Sequence, residues 1–284
     1  MAIALVTDST AELSPECEES LGVTVVPLQV VIDDASYDAG SPEVAPEQVA
    51  AALRAKRAVS TSRPAPAAFA ETYERLAAEG ADAIVSVHLS GEVSGTFESA
   101  QVAARQAPVP VTCVDTRQVG FATGFAVAAA AAVLADGGSA EDAAKAAQTR
   151  AEASRTLLYV DTLEYLRRGG RVGTAAAVFG GALAVKPLLG IENGVIAPVA
   201  KVRTAAKAIA RLEDLAIEIA GDDRVEIAVA HLAAAERAEA FAERLAERLG
   251  ESLVGQVRCA EIGGVVGAHV GPGMIAVCVS PLRC

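Results

Sequence analysis

Short apolar runs alternate along this chain with longer segments whose apolar positions recur at helical spacing. Residues 2–6 form the first run, a strand that ends at Thr7-Asp8-Ser9-Thr10. Ser14-Pro15-Glu16 then predicts a helix start, with serine as cap and proline in the first turn. Residues 23–31 are rich in β-branched residues and predict a second strand. Pro27 falls at an edge or bend of it, because proline donates nothing to a ladder. After the acidic turn Asp33-Asp34, residues 46–54 read as a short helix. Ser60-Thr61-Ser62-Arg63-Pro64 reads as a hydroxyl-rich loop, followed by a helix over 67–78 with Phe69, Tyr73 and Leu76 on one face.

Residues 83–89 and 109–114 predict two further strands, ending in Ser90 to Thr96 and in Asp115-Thr116. Alanine-rich helices follow, up to residue 135 and over 140–153. Strands alternating with helices predict a mostly parallel sheet, in which ligands bind beyond the carboxyl ends of the strands. From residue 157 the pattern changes to short strands and loops. Asn193-Gly194 marks a hairpin between Leu188-Leu189 and Val195-Ile196. A helix over 205–220, a strand over 225–230, a helix over 234–249 and strands over 253–259 and 274–279 complete a second α/β unit with a mixed sheet. These patterns place two domains at 1–154 and 155–284.

One stretch departs from this alternation. Arg167, Arg168 and Arg171 surround Gly169-Gly170, whose glycines open left-handed backbone conformations and predict a tight basic turn. An uncharged run of Ala, Gly and Val follows over 172–185. It is shorter than the about 20 residues a membrane span needs. It reads either as a mobile lid over an apolar cavity or as a buried helix.

Composition narrows the classes. With 284 residues, 52% of them hydrophobic, the chain has material for a real core. A net charge of -12 argues against general nucleic-acid binding, which needs an electropositive footprint, so no nucleic-acid partner is expected. Cys17, Cys113, Cys259, Cys278 and Cys284 are scattered, without metal-ligand spacing, and read as buried thiols in a reducing compartment. The first residues read as a strand rather than a signal peptide, and residues 119–135 as a core helix, so a cytoplasmic location is expected.

Two motif classes are missing from the sequence. No Walker loop occurs, and Gly263-Gly264 to Gly273 leads into a strand, which gives no Rossmann phosphate cradle. Val93-Ser94-Gly95 supplies only a fragment of a nucleophile elbow. His269, among glycines in Gly267-Ala268-His269-Val270-Gly271-Pro272-Gly273, stands where backbone and side chain can both approach a ligand. His88 and His231, at strand ends, read as core or surface histidines. Ser94 and Thr96 lie where hydroxyls cap a helix.

Taken in order, Thr7-Asp8-Ser9-Thr10, Thr61-Ser62-x-Pro64, Ser94-Gly95-Thr96, Tyr165-Leu166-x-x-Gly169-Gly170-Arg171, Lys186-Pro187, Lys201-Val202-Arg203-Thr204 and His269-x-Gly271-Pro272-Gly273 resemble the DegV family over nearly the whole chain. The family's usual Thr-Ser-Gln-Pro-Ser here reads Thr61-Ser62-Arg63-Pro64-Ala65, and its Leu-Ser-Gly-Thr reads Val93-Ser94-Gly95-Thr96. Arg63 thus adds a charge near the expected mouth of the site.

The resemblance implies a two-domain α/β carrier, its N-terminal sheet mostly parallel and its C-terminal sheet mixed, with the lipid site between the domains. It implies a bound long-chain fatty acid and no other cofactor. It also implies a partner, the catalytic subunit of a bacterial fatty acid kinase, and at most transient membrane contact. Thr61, Ser94 and His269 would hold the carboxylate, with Ser62 and Arg203 nearby. No residue would be catalytic and none would bind metal. Arg167, Arg168 and Arg171 form the candidate docking surface for the kinase. Two other readings stay open: an acyl hydrolase or acyltransferase using Ser94 and His269, and a carrier of another lipid.

Overall fold

The computed structural model describes residues 2–175 and 186–282. Its elements run β1 (Ile3–Asp8), α1 (Pro15–Leu21), β2 (Val23–Val26), β3 (Gln29–Ile32), β4 (Ala35–Asp38), α2 (Pro46–Arg54), β5 (Val59–Ser62) and α3 (Pro66–Ala78). Then come β6 (Ala83–His88), α4 (Thr96–Ala104), β7 (Val111–Asp115), α5 (Phe121–Ala135), α6 (Ala140–Ala153), β8 (Arg155–Tyr159) and α7 (Glu164–Arg168). The last are β9 (Lys186–Glu192), β10 (Val195–Val202), α8 (Ala205–Ala220), β11 (Val225–His231), α9 (Ala235–Leu249), β12 (Arg258–Glu261), α10 (Gly264–Val270) and β13 (Ile275–Pro281).

The chain divides into two compact units. The first, Met1–Gln29 with Ser62–Glu152, is built on a parallel sheet of order β2-β1-β6-β7. Neighbouring residues on its strands bury into opposite layers, as a period of two requires. Leu5, Val85 and Val87 pack with Ala126, Val127, Ala130, Ala143 and Ala147 of α5 and α6. Val6 and Ile84 pack with Phe69, Tyr73 and Leu76 of α3 and with Ala100 and Ala103 of α4. The segment expected as a core helix is α5, most of whose first half is buried.

The second unit, Val30–Thr61 with Ala153–Cys284, holds a six-stranded sheet of order β10-β9-β8-β13-β11-β12. It is mixed, antiparallel throughout except for the parallel pair β11 and β12. Leu212 of α8 and Phe241 and Leu245 of α9 cover one face, against Tyr159, Ile227, Val229, Ile275 and Val277. The Asn193-Gly194 turn joins β9 to β10, and both residues have positive φ.

The observed units differ from the contiguous domains expected at 1–154 and 155–284. Residues 30–61 cluster with the second unit, where β4, β3 and β5 form a sheet of their own. The single strand expected over 23–31 is two strands in two sheets, broken at Pro27-Leu28. The stretch expected as a hydroxyl-rich loop is largely β5. The glycine-rich approach to the final strand contains α10, which the low helix propensity of its glycines conceals.

Candidate functional site

Thr61 and His269 come together in the second unit. On β5, Val59 and Thr61 turn inward while Ser60 and Ser62 are exposed. Thr61 Oγ1 and His269 Nε2 share a hydrogen bond of 2.7 Å. Ser62, on the other face of the strand, instead donates to the Arg63 carbonyl at 3.3 Å.

Glycines let two segments, the one leading into α2 and the one formed by α7 with its turn, close on α10, which carries His269. A Cβ on Gly264, at the start of α10, would overlap the Val44 carbonyl oxygen, so the helix seats flush against the segment leading into α2. Gly271 ends the helix at φ +77, and a Cβ there would overlap the Tyr165 ring. A Cβ on Gly169 would overlap His269 Nδ1. The turn after α7 therefore lies directly against the imidazole. Burial is the larger cause that pushes His269 down to about 4, and the nearby Arg171 guanidinium adds to it. At neutral pH the ring is uncharged. Nδ1 is buried, with no hydrogen-bond partner among the described residues.

The three arginines of the basic turn differ in their engagements. Arg171 donates to the Gly169 carbonyl at 2.5 Å and so braces the turn. Arg168 pairs with Glu164 one helical turn earlier. Arg167 is exposed. Arg203, also exposed, follows β10 and precedes Thr204, which caps α8 by accepting from Lys207 N at 3.3 Å.

Ser94 and Arg63 belong to the first unit. Ser94 Oγ accepts from Thr96 N at 3.3 Å and shares a 2.9 Å hydrogen bond with Thr96 Oγ1, so it organises the entry to α4. Arg63 Nη1 donates to Glu98 at 3.0 Å and to the Gly95 carbonyl at 3.2 Å. The charge that Arg63 brings is thus paired. Sequence reasoning missed Gly169 and Tyr165 as walls of the histidine's environment, although the Gly169-Gly170 pair signalled a tight turn.

Lys186, quoted only as part of a motif, binds Asp161 Oδ1 and the Asp161 carbonyl, both at 3.1 Å. Gly273 admits the Asp161 carboxylate where a Cβ would overlap it. The run expected as a lid or buried helix, 172–185, lies outside the described residues from 176 onward, as does Cys284. The other four cysteines form no disulfide among the described residues; Cys278 is buried as expected, but Cys17 and Cys113 are only half-buried and Cys259 is exposed, because it sits on edge strand β12. Among the described residues no cluster could hold a metal ion, and no helix is long and apolar enough to cross a membrane.

A family model for uncharacterised proteins of the DegV family matches residues 2–282. The chain belongs to the DegV family. A DegV domain-containing protein of Streptomyces coelicolor is 52% identical over 98% of both chains. Among solved structures, a DegV family protein of Thermus thermophilus, described by its fatty acid binding, superposes with a TM-score of 0.92 at 32% identity, over 99% of this chain and 100% of that one. DegV of Bacillus subtilis, described as a fatty acid binding protein, gives a TM-score of 0.90 at 33% identity, over 99% of each. The α/β architecture of a parallel and a mixed sheet is that of these DegV structures.

Proposed function

We propose that this protein binds a long-chain fatty acid in its apolar interior and presents the carboxylate to a separate ATP-dependent kinase for acyl-phosphate formation. The observation that carries the reading is the Thr61–His269 pair, a neutral imidazole bonded to a hydroxyl in a chain whose structural relatives are described as fatty-acid-binding. A hydroxyl and an uncharged imidazole satisfy a carboxylate without a buried lysine and leave it open to phosphoryl transfer.

The driving force comes from the chain rather than the head group. Burying about 15 methylenes at ~0.8 kcal/mol each supplies roughly 12 kcal/mol before ordering costs. Thr61 and His269 then need only orient the carboxylate. Ser94, Ser62 and Arg203 join this reading on the strength of the resemblance, and Arg167, Arg168 and Arg171 as the surface for the kinase. Ser94 is engaged with Thr96, and His269 Nε2 with Thr61, which favours a binding role over an acyl hydrolase using the two.

Mass spectrometry of lipid extracted from the purified protein, beside native mass spectrometry of the intact complex, tests the proposal. A stoichiometric long-chain acid is expected. A protein that is empty and takes up no added fatty acid overturns it.

A further inference from the structure

A neutral imidazole has one proton for two nitrogens, and which nitrogen holds it decides what Thr61 can offer a ligand. If Nε2 carries the proton, it donates to Thr61 Oγ1, and the threonine proton is free for a third group. If Nδ1 carries it, Nε2 accepts from Thr61, whose hydroxyl then shows only a lone pair.

Gly169 distinguishes the two. The position a Cβ would take on Gly169 lies well inside van der Waals contact distance of His269 Nδ1, 2.8 Å from Cε1 and 3.4 Å from Cγ. These distances put it close to the ring plane on the outer side of Nδ1, where that nitrogen's lone pair or proton sits. In glycine the position is held by a Cα hydrogen. A proton on Nδ1 would meet it head-on, whereas a lone pair makes a weak Cα–H contact with it. The Arg171 charge, held on the Gly169 carbonyl at 2.5 Å, also favours a lone pair on the near nitrogen. A buried acceptor without a strong partner is moreover better tolerated than a buried N–H without one.

The geometry points to Gly169 as a positioning residue that fixes His269 as its Nε2–H tautomer, makes the Thr61 hydroxyl a donor, and so favours a carboxylate, which accepts a charge-assisted hydrogen bond, over an alcohol, which accepts only a weaker neutral one. The inference rests on the fatty-acid-binding reading for the identity of the ligand, but not for the tautomer. Gly169 has φ -74 and ψ -7, comfortable for any residue, so Gly169→Ala introduces the Cβ overlap without backbone strain. Gly170→Ala is its counterpart: φ is +71 and nothing lies within 4 Å of the added carbon.

The experiment is long-range 15N–1H NMR of the histidine side chains in delipidated full-length protein at neutral pH, with titrations of palmitic acid and of the alcohol of equal length. In the wild type we expect Nε2 protonated, Nδ1 unprotonated, and the acid bound more tightly than the alcohol. In Gly169→Ala the added Cβ should push the ring away from Thr61, shift the Nε2 resonance as the Nε2–H···Oγ1 bond is lost, and weaken acid binding by about tenfold or more, the scale of one hydrogen bond to a charged group. Gly170→Ala should keep the wild-type tautomer. A wild-type Nδ1–H signature overturns the inference, as does a Gly169→Ala variant whose Nε2 resonance and acid affinity are both those of the wild type; if that variant does not fold, the wild-type spectrum decides alone. The expected tautomer without any binding of the acid would overturn the fatty-acid reading and leave the role of Gly169 standing. The opposite tautomer with tight acid binding would do the reverse.

Discussion

Asp8 and His88 meet at 3.0 Å, both fully buried, at the carboxyl ends of adjacent strands β1 and β6. The same carboxylate accepts from Leu89 N at 3.1 Å and from Thr10 N and Oγ1 at 3.0 and 2.6 Å. His88 continues through Ser86 at 2.7 Å to the Tyr73 hydroxyl at 2.8 Å. The polar Thr7-Asp8-Ser9-Thr10 stretch, which reads as a ligand-facing strand end, therefore turns its acid inward and spends it on the fold.

Removing that acid should cost stability. Asp8→Ala strands two backbone N–H groups and one end of the His88 chain, and each orphaned buried group costs about 1–3 kcal/mol. We expect a loss of about 3 kcal/mol or more, read as a lower urea midpoint with an unchanged slope. A loss below about 1 kcal/mol would mean that the network is not held as described.

His269 predicts a pH dependence of the opposite origin, burial rather than pairing. Its folded value is about 4 against 6.5 for the free side chain. Between these values the unfolded chain holds a proton that the folded chain refuses. Stability is therefore full above pH 6.5, falls as pH drops, and levels off below about 4, losing at most about 3 kcal/mol on this account. His269→Gln removes this slope. Denaturant titrations of both proteins at pH ~7 and ~4.5 should show the variant gaining relative to the wild type at the lower pH.

The sequence makes most of this architecture legible, for physical reasons that also explain the failures. Period-two and period-3.6 patterns are local, so α3 and α8 and the buried strands β6 and β11 stand out. The assignment of residues 30–61 is not local: Val30 and Ile32 bury their side chains in the second unit as they would in the first, and nothing in their spacing names the partner. Thr61 and His269 stand out as residue types and through the family pattern, but their 2.7 Å contact spans 208 positions. Gly169 carries no side chain to announce itself, and only the ring pressed against it reveals why glycine is there.

Arg171 should tune the same histidine. Because its charge is the second cause of the low value, Arg171→Met should raise the His269 midpoint, and burial, the larger cause, should hold it below 6.5. Arg171→Glu should raise it further. An NMR titration of the ring carbons measures both, and an unmoved midpoint would place the guanidinium too far away to matter.

Arg167 is the better probe of partner docking, since Arg171 braces the turn and Arg168 is paired with Glu164. Arg167→Glu reverses an exposed charge. Lipid occupancy should remain that of the wild type, while kinase-dependent acyl-phosphate formation drops severalfold. Equal turnover would remove the docking surface from the proposal.

The discontinuous second unit leads to a last prediction, read from two glycines three residues apart on α10. At Gly264 an added Cβ would overlap a backbone atom, the Val44 carbonyl oxygen, and reach Val49 at 3.0 Å. At Gly267 its close contacts would be with the flexible end of Leu232, at 3.2 and 3.6 Å, and the Ile262 carbonyl oxygen stands at an ordinary 4.0 Å. Alanine is the better helix former at both, by up to about 1 kcal/mol. Gly267→Ala should therefore be close to neutral. Gly264→Ala forces α10 away from the 44–49 segment, costing about 1–3 kcal/mol as overpacking does. Because α10 carries His269, the shift also moves Nε2 away from Thr61, so fatty-acid affinity should fall in Gly264→Ala and hold in Gly267→Ala. Parallel denaturation and binding titrations decide it. Equal behaviour of the two variants would show that the junction of α10 with residues 30–61 does not position the site.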